Sequence, residues 1–193
     1  MAPATPCDRS GGDKTVATTL AQSLAAGDPE AFAVLYDRLA GRLLATARAM
    51  TGSTADAEDV VQDLFMDLAR GRARLTAVSD LEAYVFAMLR NAVRRRGRRV
   101  ALDRRAVLAI GQSRRASGSF TIAAEELPDD ALAAAVAALP ETQREVVALR
   151  IDAGLTFAEI AAVTGTSLNT VASRYRYALE KLRTSLADRK EEP

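Results

Sequence analysis

The 193-residue sequence contains no histidine and no tryptophan, and it has a single cysteine, Cys7. Histidine is the commonest general base and the commonest metal ligand, so its absence argues against both roles. One cysteine provides neither a disulfide framework nor a cysteine cluster for a metal. The sequence also lacks a P-loop and a GxGxxG phosphate cradle. We therefore expect no enzymatic activity, no catalytic residue, no cofactor and no metal.

Long apolar runs are absent as well. The longest runs from Ala131 to Leu139, well short of the roughly 20 residues that a membrane-spanning helix needs. The N-terminus does not have a basic segment followed by an apolar one, as a secretion signal would. We expect no membrane insertion and a cytoplasmic protein.

The residues that favour strands are sparse, and aromatic residues make up only 5% of the chain. Ala, Leu and Arg, which are good helix formers, are abundant. The hydrophobic fraction of 49% is high enough to build packed cores. These properties predict an all-α fold.

Charge is segregated along the chain, although the formal net charge is only +1. The segment from residue 90 to 105 contains eight arginines and one acid, Asp103. The segment from residue 55 to 68 contains acids and no base: Asp56, Glu58, Asp59, Asp63 and Asp67. The near-neutral total therefore conceals one basic and one acidic surface.

Changes in apolar period divide the chain into two predicted helical domains. Residues 1–14 are rich in Pro, Gly and Ser, and are expected to be disordered. Residues 15–97 have helical periodicity, and so do residues 128–187. We interpret residues 98–127 as a flexible linker, because they lack a sustained period, and residues 188–193 as a tail.

Helix start and stop signals support the first domain. Asp28-Pro29-Glu30 predicts a capped helix that Gly52 ends, with one buried apolar face that includes Tyr36. Ser53 resembles the cap of an acidic helix, and Ser79-Asp80-Leu81-Glu82 predicts a capping box before a helix that enters the arginine run.

The second domain contains a helix-turn-helix pattern. Pro140 starts one predicted helix, and Thr156-Phe157-Ala158-Glu159 is a capping box for a short one. Gly165 supplies the turn, and Ser167 caps a longer helix. In such motifs the N-terminal side chains of the second helix meet base edges in the major groove, so the chain is predicted to bind DNA.

Each of these three patterns also has a simpler interpretation. The helix-turn-helix pattern fits a plain helical hairpin with a solvated polar face. The arginine run fits a solvated helix end, because cations are favoured at helix C-termini, and the acidic helix fits plain solubility. The arginine run, however, contains eight arginines, more than the end of a helix requires. Contact with a phosphate backbone would relieve the repulsion among these crowded like charges.

The order of these features resembles the extracytoplasmic-function (ECF) sigma factors, the small two-domain members of the sigma-70 family that direct bacterial RNA polymerase to promoters. The resemblance covers residues 28–97 and 128–186. It is carried by the segment from Asp28 to Phe32, the acidic motif from Ala57 to Phe65, and Leu89-Arg90-Asn91. In the second domain it is carried by the segment from Leu139 to Val147 and by the helix-turn-helix.

The resemblance implies a function and three groups of site residues. It implies that the chain binds core RNA polymerase and promoter DNA and assists strand opening; an anti-sigma factor is a common partner in this family. The implied polymerase-binding residues are Asp56, Glu58, Asp59, Gln62, Asp63 and Phe65. The implied minus-10 residues are Arg90, Asn91, Arg94, Arg95, Arg98 and Arg99, and the implied minus-35 residues are Ser167, Asn169, Thr170, Ser173, Arg174 and Arg176.

Two positions depart from the family pattern. Tyr84 stands where members usually have Trp, and Arg95 stands where they usually have Asp. The first change keeps an amphipathic ring, whereas the second replaces an acid by a base. We expect the second change to alter how the helix packs or which minus-10 sequence it prefers.

Two other functions compete with this one. The chain could be a one-component transcription regulator whose residues 15–97 sense a ligand or dimerise. It could also be an adaptor that binds an anti-sigma factor without contacting DNA. A sensor domain would not require the acidic helix at 56–67 or the arginine run. An adaptor predicts that Arg174→Ala and Arg176→Ala leave DNA binding unchanged.

Overall fold

A computed structural model describes residues 20–110 and 130–188, with only the backbone of residues 103–110, 130, 131 and 188. The described residues form helices and turns with no strand, which confirms the all-α prediction. None of these helices is both long and apolar enough to cross a bilayer. The elements in chain order are α1 (20–26), α2 (Pro29–Thr51), α3 (Thr54–Arg70), a 3-10 helix (Arg72–Ala77), α4 (Leu81–Ile110), α5 (Asp130–Ala137), α6 (Glu141–Ile151), α7 (Phe157–Thr164) and α8 (Leu168–Asp188).

The caps of α2 and α3 lie where the sequence predicts them. The Asp28 carboxylate accepts a hydrogen bond from the Glu30 amide (3.0 Å), and Gly52 ends α2 with a φ of 73°. The Ser53 hydroxyl accepts one from the Asp56 amide (3.2 Å). Such caps pair amides that have no partner within the helix, so they fix where each helix begins.

The predicted cap of α4 is wrong by one residue. Asp80 Oδ1, rather than the Ser79 hydroxyl, accepts a hydrogen bond from the Ala83 amide (2.9 Å), and α4 begins at Leu81. The Glu82 carboxylate would have completed the predicted box, but it forms ion pairs with Arg42 and Arg38 of α2 instead. A tertiary contact therefore overrides the local capping signal.

The linker prediction began too early, because α4 continues through Gly97 to Ile110. A glycine inside a helix costs about 1 kcal/mol relative to alanine, which helix-forming neighbours such as Arg98, Ala101 and Leu102 can offset. Residues 111–127 of the predicted linker lie outside the described residues, as do the predicted disordered N-terminus and Cys7.

The core of the first domain follows the leucine stripe of α2. Leu35, Leu39 and Leu43 are each at most 1% exposed. Tyr36, expected on the same buried face, is 53% exposed and contacts the Phe65 ring at 5.1 Å between centroids. One step along a helix is a rotation of about 100°, which carries Tyr36 off the leucine stripe and towards α3.

The helix-turn-helix forms as predicted. The Thr156 hydroxyl accepts a hydrogen bond from the Glu159 amide (3.2 Å), and Glu159 accepts one from the Thr156 amide (2.6 Å). Gly165 adopts a φ of 66° at the turn. Ile160 and Val171 are fully buried between α7 and α8. Helix α6 begins at Glu141, one residue after the predicted start at Pro140, which is the N-cap residue instead.

The two domains pack on each other, which the linker prediction did not anticipate. Helix α6 contacts α2, and α7 contacts α4. Val146, Leu149 and Leu155 belong to the same buried cluster as the first-domain leucines. The Arg42 guanidinium also donates a hydrogen bond to the Ala153 carbonyl. In this closed arrangement the domains share one apolar cluster, and a second, smaller cluster packs residues of α5, α6 and α8 together.

Candidate nucleic-acid and protein interfaces

The predicted minus-35 residues lie between Ser167, just before α8, and Arg176 in the N-terminal half of that helix. The Ser167 hydroxyl accepts a hydrogen bond from the Thr170 amide (3.1 Å), so Ser167 also serves as a cap, and it lies 2.8 Å from the Thr170 hydroxyl. Asn169 is exposed, and Ser173 and Arg174 are partly exposed. An amide and a guanidinium at these positions have the donors that adenine and guanine edges accept in the major groove.

Arg176 lies one turn beyond Ala172 and is exposed. Its guanidinium lies 5.1 Å from the centroid of the Tyr177 ring, which is 49% exposed. A cation above a ring face is attracted electrostatically, so Tyr177 restrains this side chain at the surface. A restrained guanidinium loses less side-chain entropy when it binds a phosphate or a base.

Most of the predicted minus-10 residues lie on the outer face of α4. Asn91, Arg94, Arg98 and Arg99 are exposed. Arg94 and Arg98 line a groove of about 560 Å³. This groove is bordered by the end of α2, the arginine segment of α4 and the start of α6. Its lining combines cations of α4, to which a phosphate backbone is attracted, with three acids, Asp56, Glu141 and Glu145.

Arg95, the departure from the family pattern, points towards α3. Its guanidinium lies 3.5 Å from the Asp67 carboxylate, and both side chains are about half exposed. An exposed pair at this distance contributes little to stability. The basic residue is therefore accommodated by an acid on the neighbouring helix and remains reachable by solvent.

Arg90 is placed differently from the other predicted minus-10 residues. Its Nε atom lies 2.5 Å from Glu145 Oε1 of α6, and the two side chains are only 13% and 9% exposed. In the closed arrangement the second domain therefore covers Arg90, and a phosphate would reach it only after α6 moves away.

The predicted polymerase-binding residues divide into two groups on α3. Glu58, Gln62 and Asp63 are exposed, and Phe65 is partly buried beside Tyr36. Asp56 and Asp59, in contrast, both contact Arg96 of α4, at 2.5 Å and 3.0 Å. The hydrogen bonds that Arg96 donates to Asp56 raise the pKa of the Arg96 guanidinium.

Sequence reasoning missed three residues of these interfaces: Arg42, Arg96 and Glu145. Arg96 had a detectable signal, because it continues the spacing of the buried Val85, Leu89 and Ala92 and so faces inwards. Arg42 and Glu145 make contacts across 111 and 55 residues of sequence. Contacts of that kind leave no local pattern.

Among the described residues, no group of three His, Cys, Asp or Glu side chains is placed to hold a metal ion. The chemistry available at these surfaces is that of ion pairs, hydrogen bonds and apolar contact.

Comparison with known families decides between the interpretations of this geometry. The family model for sigma-70 region 2 matches residues 35–105, and the model for sigma-70 region 4 matches residues 129–182. The chain belongs to the sigma-70 family. It is an ECF sigma factor, a transcription initiation factor, and the matched regions coincide with the acidic and arginine-rich helices and with the helix-turn-helix.

Curated relatives of this sigma factor are ECF factors. It is 29% identical over 178 residues to the ECF RNA polymerase sigma factor SigK of Mycobacterium ulcerans, covering 86% of this chain and 91% of the relative. It is also 29% identical over 143 residues to EcfG of Rhodopseudomonas palustris, covering 72% and 76%.

Two solved structures have a similar fold. CnrH, in complex with the cytosolic domain of CnrY, has a TM-score of 0.64 and 26% identity, covering 89% of this chain and 97% of CnrH. RpoE of Bartonella quintana, in complex with the anti-sigma factor NepR, has a TM-score of 0.59 and 21% identity, covering 94% and 98%. The second likeness concerns the fold alone.

Proposed function

We propose that this sigma factor divides its task among three surfaces. The exposed acidic edge of α3 binds core RNA polymerase, the outer face of α4 holds the minus-10 element, and the N-terminal part of α8 reads the minus-35 element. The observation that carries the proposal is the placement of opposite charges on two adjacent helices of one domain, with a capped helix-turn-helix in the other.

The polymerase surface consists of Glu58, Gln62, Asp63 and Phe65, joined by Asp56 and Asp59 where α3 approaches α4. Exposed carboxylates on the same helix as an apolar ring favour a partner whose surface carries both basic and apolar groups. This composition supports a protein contact rather than a DNA contact, because DNA phosphates would be repelled.

The minus-10 surface consists of Asn91 and the arginines of α4 at positions 94, 95, 98 and 99, with Arg90 added once it is uncovered. Strand opening costs a few kcal/mol per unpaired base, and phosphate contacts and base capture offset that cost. The minus-35 surface consists of Ser167, Asn169, Thr170, Ser173, Arg174 and Arg176, which would meet a duplex.

The closed arrangement cannot contact both promoter elements at once. The names minus-10 and minus-35 give positions about 25 base pairs apart. At a rise of about 3.4 Å per base pair, the two elements are about 85 Å apart. A compact chain of the described size has a radius of gyration of about 15 Å. The domains therefore separate when promoter DNA is bound, which also uncovers Arg90.

We further propose that the factor has no enzymatic activity, acts in the cytoplasm and is regulated by an anti-sigma factor. One sigma factor of similar fold, RpoE of Bartonella quintana, forms a complex with such a partner. A pull-down from native cells with the full chain as bait tests the last point: recovery of one stoichiometric small partner supports it, and recovery of polymerase subunits alone opposes it.

The polymerase assignment is tested by mixing purified chain with core RNA polymerase. The wild type is expected to bind, and Glu58→Gln combined with Asp63→Asn is expected to weaken binding at least tenfold. Glu180→Gln, an exposed acid of α8, is the matched control and should bind like the wild type. If the wild type binds no core polymerase, the polymerase assignment fails and a one-component regulator becomes the better interpretation.

A further inference from the structure

Arg96 lies where the acidic helix and the basic helix meet. Its Nε and Nη2 atoms both donate to Asp56 Oδ1, at 2.8 and 2.5 Å, and Nη2 also lies 3.0 Å from Asp59 Oδ2. The Arg96 side chain is 34% exposed, and the two acids are 29% and 57% exposed. The cluster is thus partly shielded and still reachable from solvent.

This cluster joins the proposed polymerase surface to the proposed minus-10 surface. Asp56 and Asp59 belong to the proposed polymerase surface. Arg96 lines the same groove as Arg94 and Arg98, which belong to the proposed minus-10 surface. A carboxylate that neutralises Arg96 also reduces the positive charge that this groove offers to a phosphate.

We propose that the ion pairs with Asp56 and Asp59 keep Arg96 from binding DNA in the free chain. When a basic polymerase surface docks on these two acids, the Arg96 guanidinium becomes free to bind a DNA phosphate. The inference rests on the proposed function and adds a residue that the minus-10 surface lacked. Because coupling between two ligands is reciprocal, DNA in the groove strengthens polymerase binding by the same factor.

The expected size of the effect follows from counterion release. One additional phosphate contact changes the slope of log affinity against log salt by about −0.9, or roughly 3.5-fold in affinity between 50 and 200 mM salt. A slope measures the number of contacts, which a merely structural role of Arg96 would leave unchanged.

The experiment measures this slope for the full chain with a short fluorescein-labelled DNA duplex. Asp56→Asn combined with Asp59→Asn is expected to steepen the slope by about 0.9. The same pair of changes in an Arg96→Ala background is expected to leave the slope at the wild-type value, and Arg96→Ala alone should change it little. Steepening that persists in the Arg96→Ala background, or no steepening at all, overturns the proposal.

A matched control separates the ion pairs from general charge. Glu58→Gln combined with Asp63→Asn removes two acids from the same helix that do not contact Arg96, so its effect should be the same with and without Arg96→Ala. Thermal melts of every variant check folding. If the Asp56 and Asp59 double variant does not fold, Asp56→Asn alone, which replaces the acceptor of both Arg96 hydrogen bonds, serves in its place. Its slope should steepen by less than that of the double variant, and the steepening should disappear in the Arg96→Ala background; no steepening, or steepening that persists there, overturns the proposal.

A second arm uses the assembled complex with core RNA polymerase. There Arg96→Ala is expected to reduce the salt slope of DNA binding by about 0.9, which it does not do in the free chain. An unchanged slope in the complex contradicts the release step. Failure of the wild type to bind polymerase would instead overturn the proposed function, while the free-chain comparison would still test whether the acids restrain Arg96.

Discussion

Replacement of Glu145 by alanine should destabilise the closed arrangement strongly. In the wild type, Arg90 Nε lies 2.5 Å from the Glu145 carboxylate, and the Arg90 side chain is only 13% exposed between α4 and α6. The change to alanine leaves this guanidinium without its counter-charge. Removal of one partner from a buried pair costs about 3–5 kcal/mol. The groove beside Glu145 admits water, so we expect the lower end, about 3 kcal/mol.

A double-mutant cycle measures the pair directly. Urea unfolding of Glu145→Ala, Arg90→Ala and the double variant, followed by circular dichroism, gives the free energy of unfolding of each. Because the penalty comes from an unpaired buried charge, the double variant should be no less stable than either single variant. The coupling energy should therefore reach about 2 kcal/mol or more.

Solution scattering completes this experiment. If the domains part rather than unfold, the radius of gyration of Glu145→Ala will rise above the value of about 15 Å for the compact form. Glu141→Gln, an exposed change on the same helix, is the control and should cost less than about 1 kcal/mol. Additive effects of Glu145→Ala and Arg90→Ala, within about 0.5 kcal/mol, would refute the reasoning.

Three further predictions concern DNA contacts and pH. Arg174→Ala and Arg176→Ala should each weaken binding to a cognate minus-35 duplex by about 1–3 kcal/mol if the side chain contacts a base, and an adaptor without DNA contact would show no loss in a fluorescence titration. Arg94→Ala combined with Arg98→Ala should flatten the salt slope of DNA binding by about 1.8, and an unchanged slope would favour a merely solvated helix face. Burial raises the pKa of the Asp152 carboxyl, so its charged form opposes folding. The neutral Asp152 carboxyl therefore contributes stability below its ordinary pKa of 3.8, and this contribution is lost as pH rises through the raised pKa of the folded state. Asp152→Asn should therefore raise the melting temperature at pH 7, with the gain vanishing in acid; an equal gain at pH 3 would contradict this cause.

The elements of this fold were predictable wherever the signal is local. The caps at Asp28, Ser53, Thr156 and Ser167 each depend on residues two or three positions apart, and all four form. The helix-turn-helix follows from such signals together with apolar spacing. The one capping error, at Ser79, arose because Glu82 is engaged by α2.

The candidate sites were predictable in composition but not in pairing. Acidic and basic residues could be assigned to α3 and α4 from their positions, and those assignments remain predictions. Which acid neutralises which base depends on how the helices pack: Arg96 contacts Asp56 across 40 residues, and Arg90 contacts Glu145 across 55. The packing of one domain on the other likewise has no local signature, because the residues that cross the interface are ordinary core leucines and valines.

The most direct test of the central claim is the mapping of transcript 5′ ends made in vitro. Core RNA polymerase with the purified chain, on genomic DNA from the bacterium that encodes it, should start transcripts at a small set of sites. These sites should share one minus-10 and one minus-35 sequence, and Asn91→Ala and Asn169→Ala should reduce initiation at them. The same start sites with core polymerase alone, or sites that share no sequence, would contradict the account.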